Sequence, residues 1–358
     1  MTGLVLLAVA SAAVSVATTG PGPAATGPGV VIPAPFTGFG GYDWLTHTTS
    51  IRARWTVPTI VDRRPDVSGS TWVGAESSIM PAFVQLGVTE QRPGSSSPEY
   101  AGFWSDTTRH FLAQPIGGPV RPGDVVDAAM TQTASGWILT LADVTGHWTR
   151  TVSTGYQGNG TFTEGEWIQE DPTTSLDAAV DVPYPVTTVV GFSDVRIDGG
   201  VPPLTIADAA ALSAPDGVYL VPSAFTDDAF TLPPARGAAR QYLVDAGRFD
   251  AVLQAQSAAD ARRHDRLSTA EKRTEVRQVL TAFARIEGSL HHQVWPAAAA
   301  AAVAGLLTAS GPVVADYRRA EAAGFTASPA LNRRVVSDYG AFHVAVDRLR
   351  TALGLPPV

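Results

Sequence analysis

The spacing of apolar residues changes part-way along this chain, and that change constrains the fold more than any other feature. Between about residues 42 and 198, short β-branched and aromatic runs such as 51–60 and 125–133 alternate with turn residues. Beyond Ser268, apolar residues recur every three or four positions instead. The first spacing is typical of strands and the second of helices. Because 358 residues also exceed what one core usually holds, we predict two domains.

Residues 42–203 are predicted to form the first domain. Its strand-like runs follow one another with no helical pattern between them, which favours antiparallel sheets packed face to face. We therefore predict an all-β sandwich. Residues 204–234 are rich in proline and less regular, apart from a strand-like run at 218–221. They are predicted to form a protease-sensitive connection to the second domain.

Residues 235–358 are predicted to form a helical bundle. Ser268 and Glu271 make a capping-box pattern before one amphipathic stretch, and a second amphipathic stretch ends before Gly354. Further helices are predicted from about Arg236 and from Pro296. This bundle offers no obvious chemistry, so we expect it to bind a partner or to self-associate.

An apolar run at residues 294–315 has the length of a membrane span. It consists mostly of alanine and is interrupted by Gly311 and Pro312. These breaks favour two buried helices that meet at Gly311 and Pro312, and membrane insertion there is not expected.

The first residues of the chain suggest export. Residues 4–16 form a short apolar run that ends in small residues, as a signal peptide does, so residues 1–17 are predicted to be a signal peptide, with a short membrane anchor as the alternative. Residues 18–41 contain repeated Gly-Pro pairs and are predicted to be a linker. A secreted protein whose mature form begins near Thr18 is therefore expected.

Composition excludes several classes of function. The chain has no cysteine, so cysteine nucleophiles, thiolate metal sites and disulfides are impossible. Its formal net charge is -8 and it has no basic run, which argues against a nucleic-acid partner. The Gly-x-Ser-x-Gly and His-Glu-x-x-His motifs are missing as well. His291, His292 and His343 are interpreted as residues of the helical surface, so no metal site is predicted.

Two short segments contain the polar residues best suited to chemistry. One is the run Phe-Val-Gln-Leu-Gly around Gln85, and the other is the run Gly-Glu-Trp-Ile-Gln-Glu-Asp-Pro that begins at Gly165. Both have strand-like surroundings, where alternate side chains point to the same face. Gln85 is therefore predicted to share a face with Phe83, and Glu166 with Glu170. The strand pattern alone favours a simpler interpretation, in which these residues only keep an outer sheet face soluble.

The order of four segments resembles the glutamic peptidases of the eqolisin family over roughly residues 42–200. The segments are Trp-Val-Gly at 72–74, Val-Gln-Leu-Gly-Val at 84–88, Gly-Asp at 123–124, and Glu-Trp-Ile with Glu-Asp at 166–171. The resemblance implies a concanavalin-A-like sandwich of two antiparallel sheets with its active site on a concave sheet face. It also implies a polypeptide substrate, activity in acid, and no metal or other cofactor.

A catalytic pair follows from the resemblance, and here it is Gln85 and Glu166. Peptide hydrolysis needs a base that activates water and a donor for the oxygen that becomes negative. The Glu166 carboxylate suits the first role and the Gln85 amide the second. A protonated Glu166 that assists the departing amine is the other option, and the sequence leaves both open. An ordinary glutamate is partly ionised near pH 4, so activity between about pH 3 and 5 is expected.

The predicted substrate-binding residues are Trp72, Glu76, Tyr100 and Trp104. Glu76 stands where the family usually has an aspartate. The family segment Tyr-x-Ala-Trp-Tyr-Glu is matched poorly by residues 100–104, Tyr-Ala-Gly-Phe-Trp. We therefore expect either a cleft that prefers different side chains or a loss of activity.

Two other functions suit the same fold. A glycoside hydrolase would use Glu166 and Glu170, but positions four apart on a regular strand are about 13 Å apart, beyond the roughly 5 to 9.5 Å such pairs need. A non-catalytic module that binds carbohydrate or peptide would stack its ligand on Trp72, Trp104, Trp137 or Trp148, although most tryptophans here are more simply explained as core residues.

Overall fold

A computed structural model describes residues 38–77, 82–94, 96–106, 113–155, 161–171, 182–214, 217–263, 267–325 and 328–357. The predicted signal peptide at 1–17 lies outside these residues, as does most of the predicted linker at 18–41. The chain divides into two compact units, of which the first ends at Ala235 and the second begins at Arg236.

The first unit contains two large antiparallel sheets. The strands are β1 (Phe39–Leu45), β2 (Ser50–Thr56), β3 (Val67–Ser77), β4 (Ala82–Arg92), β5 (Glu99–Asp106), β6 (Gln114–Pro119), β7 (Val125–Thr133), β8 (Gly136–Asp143), β9 (Trp148–Gly155), β10 (Glu164–Glu170), β11 (Val190–Ile197), β12 (Ala209–Ala210), β13 (Leu212–Ser213), β14 (Tyr219–Leu220) and β15 (Phe230–Leu232). The strand order is β12-β1-β10-β3-β4-β5-β6 in the seven-stranded sheet and β15-β11-β2-β7-β8-β9 in the six-stranded sheet, and β13 pairs with β14.

The hydrophobic core of this unit lies between the two large sheets. Val73, Val84 and Leu86 are fully buried on the inner face of the seven-stranded sheet, and Trp55 and Leu139 meet them from the other sheet. Each such side chain contributes about 1.5–3 kcal/mol by leaving water, so the alternation of apolar residues determines which face of a strand turns inward. The predicted β-sandwich is confirmed.

Residues 204–234 belong to the sandwich and do not form the separate connection that the sequence suggested. β12 adds to the edge of the seven-stranded sheet beside β1, and β15 adds to the six-stranded sheet beside β11. Leu212 and Leu220 are buried in the same core. These strands contain only two or three residues each, too few for an alternating pattern to be recognised in the sequence.

The second unit is helical, as predicted. Its described residues form α1 (Gly237–Arg263), α2 (Thr269–His292), α3 (Ala297–Ala322) and α4 (Pro329–Ala352). Ser268 and Glu271 form the predicted capping box, in which the Ser268 amide donates to Glu271 Oε2 over 2.8 Å. Phe249, Phe283 and Tyr317 from three helices pack in one core.

Residues 297–322 form one continuous helix, although a break was predicted at Gly311 and Pro312. A proline inside a helix removes the hydrogen bond to the carbonyl four residues earlier. Here that carbonyl belongs to Thr308, and both Pro312 and Thr308 are exposed, so water can satisfy the carbonyl oxygen. By length and composition α3 could cross a membrane, and 28% of its apolar window is buried within the protein.

Candidate active site

One rung of the seven-stranded sheet brings Gln85 and Glu166 to the same face. The strands β10, β3 and β4 are neighbours, and Gly74 on β3 pairs with Glu166 on one side and with Gln85 on the other. Directly paired residues point to the same side of a sheet. Because the alternating neighbour Val73 is buried in the core, these three residues lie on the outer face. The rung continues to residues of β1 and β5, and we call its five residues the central rung: Asp43, Glu166, Gly74, Gln85 and Ser105.

Gly74 has no side chain, and neighbouring side chains lie close over its backbone. A Cβ atom at this position would lie 2.6 Å from Trp72 Cζ3, and 3.0 Å from both Glu166 Oε2 and Phe83 Cε2. Strands are spaced about 4.8 Å apart, which puts the backbones of Glu166 and Gln85 about 10 Å apart across the glycine. Trp72, Phe83 and the Glu166 carboxyl group therefore fill the space above Gly74, and Glu166 Oε2 lies over the glycine that pairs with Gln85.

Glu166 has a carboxyl oxygen without a partner. Its Oε2 is buried and has no hydrogen-bond partner among the described residues, although the side chain as a whole keeps some exposure. Burial raises the pKa of Glu166 well above its ordinary value of 4.5, and the charges of Glu164 and Glu76 raise it further. A buried unpaired oxygen is unfavourable, and strongly shifted groups of this kind concentrate at functional sites.

Acidic residues flank one side of the central rung. Glu164 pairs with Glu76 on the next rung, and Asp43 pairs with Glu166. Burial, and then the neighbouring charge of Asp43, raise the pKa of Glu164 to about 8. Burial also raises the pKa of Glu76. Glu164 therefore keeps its proton in weak acid and can donate a hydrogen bond to Asp43.

Apolar residues flank the other side. Trp72, Phe103 and Ile168 form a buried cluster on the outer face. The Trp72 indole donates from Nε1 to Glu170 Oε2 over 2.7 Å, which holds the ring in place. Burial raises the pKa of Glu170 to about 7. The site thus has an acidic side and an aromatic side, with Gln85 and Glu166 between them.

The six predicted site residues do not all lie on this face. Trp72 and Glu76 lie on the outer face, one rung to either side of Gly74. Tyr100 and Trp104 alternate with the residues of that face and point inward; Trp104 is buried in the core, and the Tyr100 hydroxyl accepts a hydrogen bond from the Ile60 amide over 3.0 Å. At β5 the outer face displays Phe103 and Ser105 instead.

Sequence reasoning missed Asp43, Glu164 and Ser105. The Glu164 position had a usable signal, because it precedes Glu166 by two residues and alternation puts both on one face. Asp43 and Ser105 had none, since they join the rung only through the register of β1 and β5. The register between two strands follows from packing and turn geometry, so it cannot be predicted from the sequence of one strand.

No metal centre is apparent in the part of the chain that the structure describes, where no three His, Cys, Asp or Glu side chains are grouped to hold an ion. The carboxyl groups around Glu166 are arranged along two rungs of a sheet instead.

Solved structures that match part of this chain include scytalido-glutamic peptidase with a transition state analog inhibitor, at 18% identity over 55% of this chain and 98% of that one, with a TM-score of 0.45. SCP-B, a member of the eqolisin family in complex with the tripeptide Ala-Ile-His, matches at 17% identity over 55% of this chain and 98% of that one, with a TM-score of 0.41. Aspergilloglutamic peptidase from Aspergillus niger matches at 22% identity over 47% of this chain and 99% of that one, with a TM-score of 0.38. No curated protein matches the chain.

The family comparison covers the whole candidate site. The model of the Peptidase A4 family matches residues 39–227, which is more than half of the chain and includes every residue of the central rung. The protein therefore belongs to the Peptidase A4 family and is a peptidase.

Proposed function

We propose that this peptidase is a glutamic endopeptidase in which Glu166 transfers the proton and Gln85 stabilises the oxyanion. The observation that supports this most is the shared rung, on which Glu166 Oε2 lies over Gly74, the residue that pairs with Gln85. A base and a hydrogen-bond donor on one sheet face are sufficient for peptide hydrolysis by an activated water.

The proposed reaction has two proton transfers. Glu166 as a carboxylate takes a proton from a water molecule while the water oxygen attacks the scissile carbonyl carbon. The carbonyl oxygen becomes negative and accepts a hydrogen bond from Gln85 Nε2. Glu166 then returns the proton to the amide nitrogen as the C–N bond breaks, which releases a carboxylic acid and an amine.

The surroundings of Glu166 change the expected pH range. A base whose pKa is raised is less ionised in strong acid, but it binds the water's proton more strongly once ionised. Because burial raises the pKa of Glu166 well above 4.5, we now expect activity to rise with pH above the window of about 3 to 5 that an ordinary glutamate would give.

The test measures cleavage of an unfolded protein by the purified full chain and two variants. Glu166→Gln should abolish turnover, because an amide cannot accept the proton of water. Gln85→Ala should lower kcat about a hundredfold or more, which is the typical effect of losing one oxyanion donor. Circular dichroism should show that both variants are folded.

Reagents define the class further. Chelators and serine- or cysteine-directed inhibitors should leave the rate unchanged. Two variants that cut as fast as the parent would refute the proposal, even if the parent is a protease. Cleavage of a β-glucan in place of protein would support the glycoside hydrolase interpretation.

A further inference from the structure

We infer that Ser105 is a positioning residue for Gln85, and that its hydroxyl determines which end of the Gln85 amide faces the substrate. The inference rests on the proposed function, because it concerns the same amide. Ser105 on β5 pairs directly with Gln85 on β4, and its Oγ donates to Gln85 Oε1 over 2.9 Å. Both side chains are nearly buried, with exposures of 5% for Ser105 and 9% for Gln85.

A glutamine amide needs such a partner to act as an oxyanion donor. Its end carries an acceptor, Oε1, and a donor, Nε2, on a terminal torsion that is broad and roughly two-fold. If the amide turned by half a rotation, Oε1 would face the developing negative oxygen and repel it. The orientation of the amide therefore decides whether Gln85 stabilises or opposes the reaction.

The Ser105 hydroxyl favours one of the two orientations. With Oε1 bound to the hydroxyl on the β5 side, Nε2 lies on the other side of the planar amide, toward Gly74 and Glu166. In the reverse orientation Nε2 would donate to Ser105 Oγ, and the hydroxyl proton would need a different acceptor. Gln85 Oε1 is the acceptor that the structure gives this hydroxyl, so the reverse orientation takes that acceptor away from a nearly buried donor.

A kinetic comparison of two Ser105 variants tests the role. Ser105→Ala removes the hydroxyl and should lower kcat about tenfold with little change in KM, because the oxyanion forms only in the transition state. Ser105→Thr keeps the hydroxyl and should restore at least half of the parent kcat.

Thr89→Val provides a matched control. Thr89 lies on the same strand and face as Gln85, and its hydroxyl donates to the Ala101 carbonyl on β5 over 3.3 Å, without contact with Gln85. Its loss removes one hydroxyl from the same pair of strands, and kcat should stay within about twofold of the parent.

A double-mutant cycle separates positioning from a structural effect. If Ser105 acts only through the amide, adding Ser105→Ala to Gln85→Ala should cause no further loss of kcat. An equal tenfold loss in both backgrounds would overturn the inference. Thermal unfolding of every variant shows whether a lower rate reflects lost protein instead.

The outcomes distinguish this inference from the proposed function. If Gln85→Ala is strongly impaired but Ser105→Ala matches the parent, the positioning role is wrong and the proposed function stands. If Gln85→Ala itself is fully active, the proposed function is wrong and the inference falls with it. A Ser105→Thr variant that is folded but no faster than Ser105→Ala would also count against the hydroxyl.

Discussion

Two acidic residues on opposite faces of the seven-stranded sheet have contrasting surroundings. Glu166 lies on the outer face with Oε2 unpaired. Glu90 lies on the inner face, fully buried, and both of its oxygens have partners. Its Oε1 is 2.7 Å from Thr71 Oγ1, and Gln169 Nε2 donates to its Oε2 over 3.1 Å. Thr71 Oγ1 in turn donates to Gln169 Oε1 over 2.5 Å, which closes a ring of three contacts.

Counting hydrogens in this ring indicates that Glu90 carries a proton below about pH 7. Thr71 has one hydroxyl proton and faces two oxygens, so it cannot donate to both. If it donates to Gln169, the contact with Glu90 needs a proton on Glu90. If the Gln169 amide is turned so that its nitrogen faces Thr71, its oxygen faces Glu90 Oε2. That contact then needs the proton on Glu90 instead. Burial independently raises the pKa of Glu90 to about 7, in agreement with this count.

The comparison separates a fully hydrogen-bonded acid from one with an unpaired oxygen. Glu90 is held neutral and fully hydrogen-bonded, so it has no free capacity for chemistry. Glu166 is also pushed toward its neutral form, but it keeps an unpaired oxygen that lies over Gly74. A raised pKa therefore does not distinguish the two acids, whereas the unpaired atom does.

The strongest test of this contrast makes the same substitution on both faces. Glu166→Gln should remove all measurable peptidase activity. Glu90→Gln should retain most of it, because an amide reproduces the donor and acceptor of a protonated carboxyl group. Rates at pH 5, where the Glu90 ring is protonated, provide the comparison. Equal loss in both variants would show that the two acids do not differ in role.

Glu90 should also make the stability of the fold depend on pH. Its folded-state pKa is raised from 4.5 to about 7, so its stabilising effect is complete below about pH 4.5 and is lost as the pH rises through 7. The loss should be about 3 kcal/mol. Glu90→Gln should remove this share of the pH dependence, although its extra N–H costs about 1–2 kcal/mol at every pH.

Urea unfolding of the parent and of Glu90→Gln at pH 4.5 and pH 8 measures how the free energy of unfolding of each protein changes with pH. Other acids with raised pKa values, such as Glu170, contribute equally to both proteins and cancel. The same pH dependence in both proteins would mean that Glu90 is ionised in the fold.

The close packing above Gly74 should tolerate no side chain at this position. Gly74→Ala puts a methyl group 2.6 Å from the Trp72 ring, which is itself held by Glu170, so the ring or the strand must move. We expect a stability loss of about 1–3 kcal/mol and a lower kcat/KM. Gly191→Ala is the control, because its nearest neighbour would be Thr231 Cγ2 at 3.5 Å. Similar results for the two alanines would mean that no space is needed at Gly74.

The smallest expected effect concerns the acidic neighbours of Glu166. Asp43 and Glu164 share a hydrogen bond, and the negative charge of this pair raises the pKa of Glu166. Replacing both by Asn and Gln removes that charge and should lower the apparent pKa of Glu166 in the pH–rate profile by a fraction of a unit. Burial, the larger cause, remains. A profile that returned to an ordinary glutamate pKa would show that charge, and not burial, dominates.

Much of this protein follows from local sequence patterns. Alternating apolar residues predicted the sandwich, spacing of three and four predicted the helices, and the capping box at Ser268 predicted where α2 begins. The same alternation predicted that Gln85 and Phe83 share a face, as β4 shows. These signals are strong because neighbouring residues along one strand or helix determine them.

Other features depended on contacts between distant segments. Pairing of β10 and β4 with β3 decides that Glu166 and Gln85 meet at Gly74, and pairing of β5 brings Ser105 to Gln85. The same pairing turns Tyr100 and Trp104 away from the outer face. Register depends on how whole strands pack, so the sequence alone determined the residue types and the faces of each strand, while the tertiary structure decided which of those residues form one site.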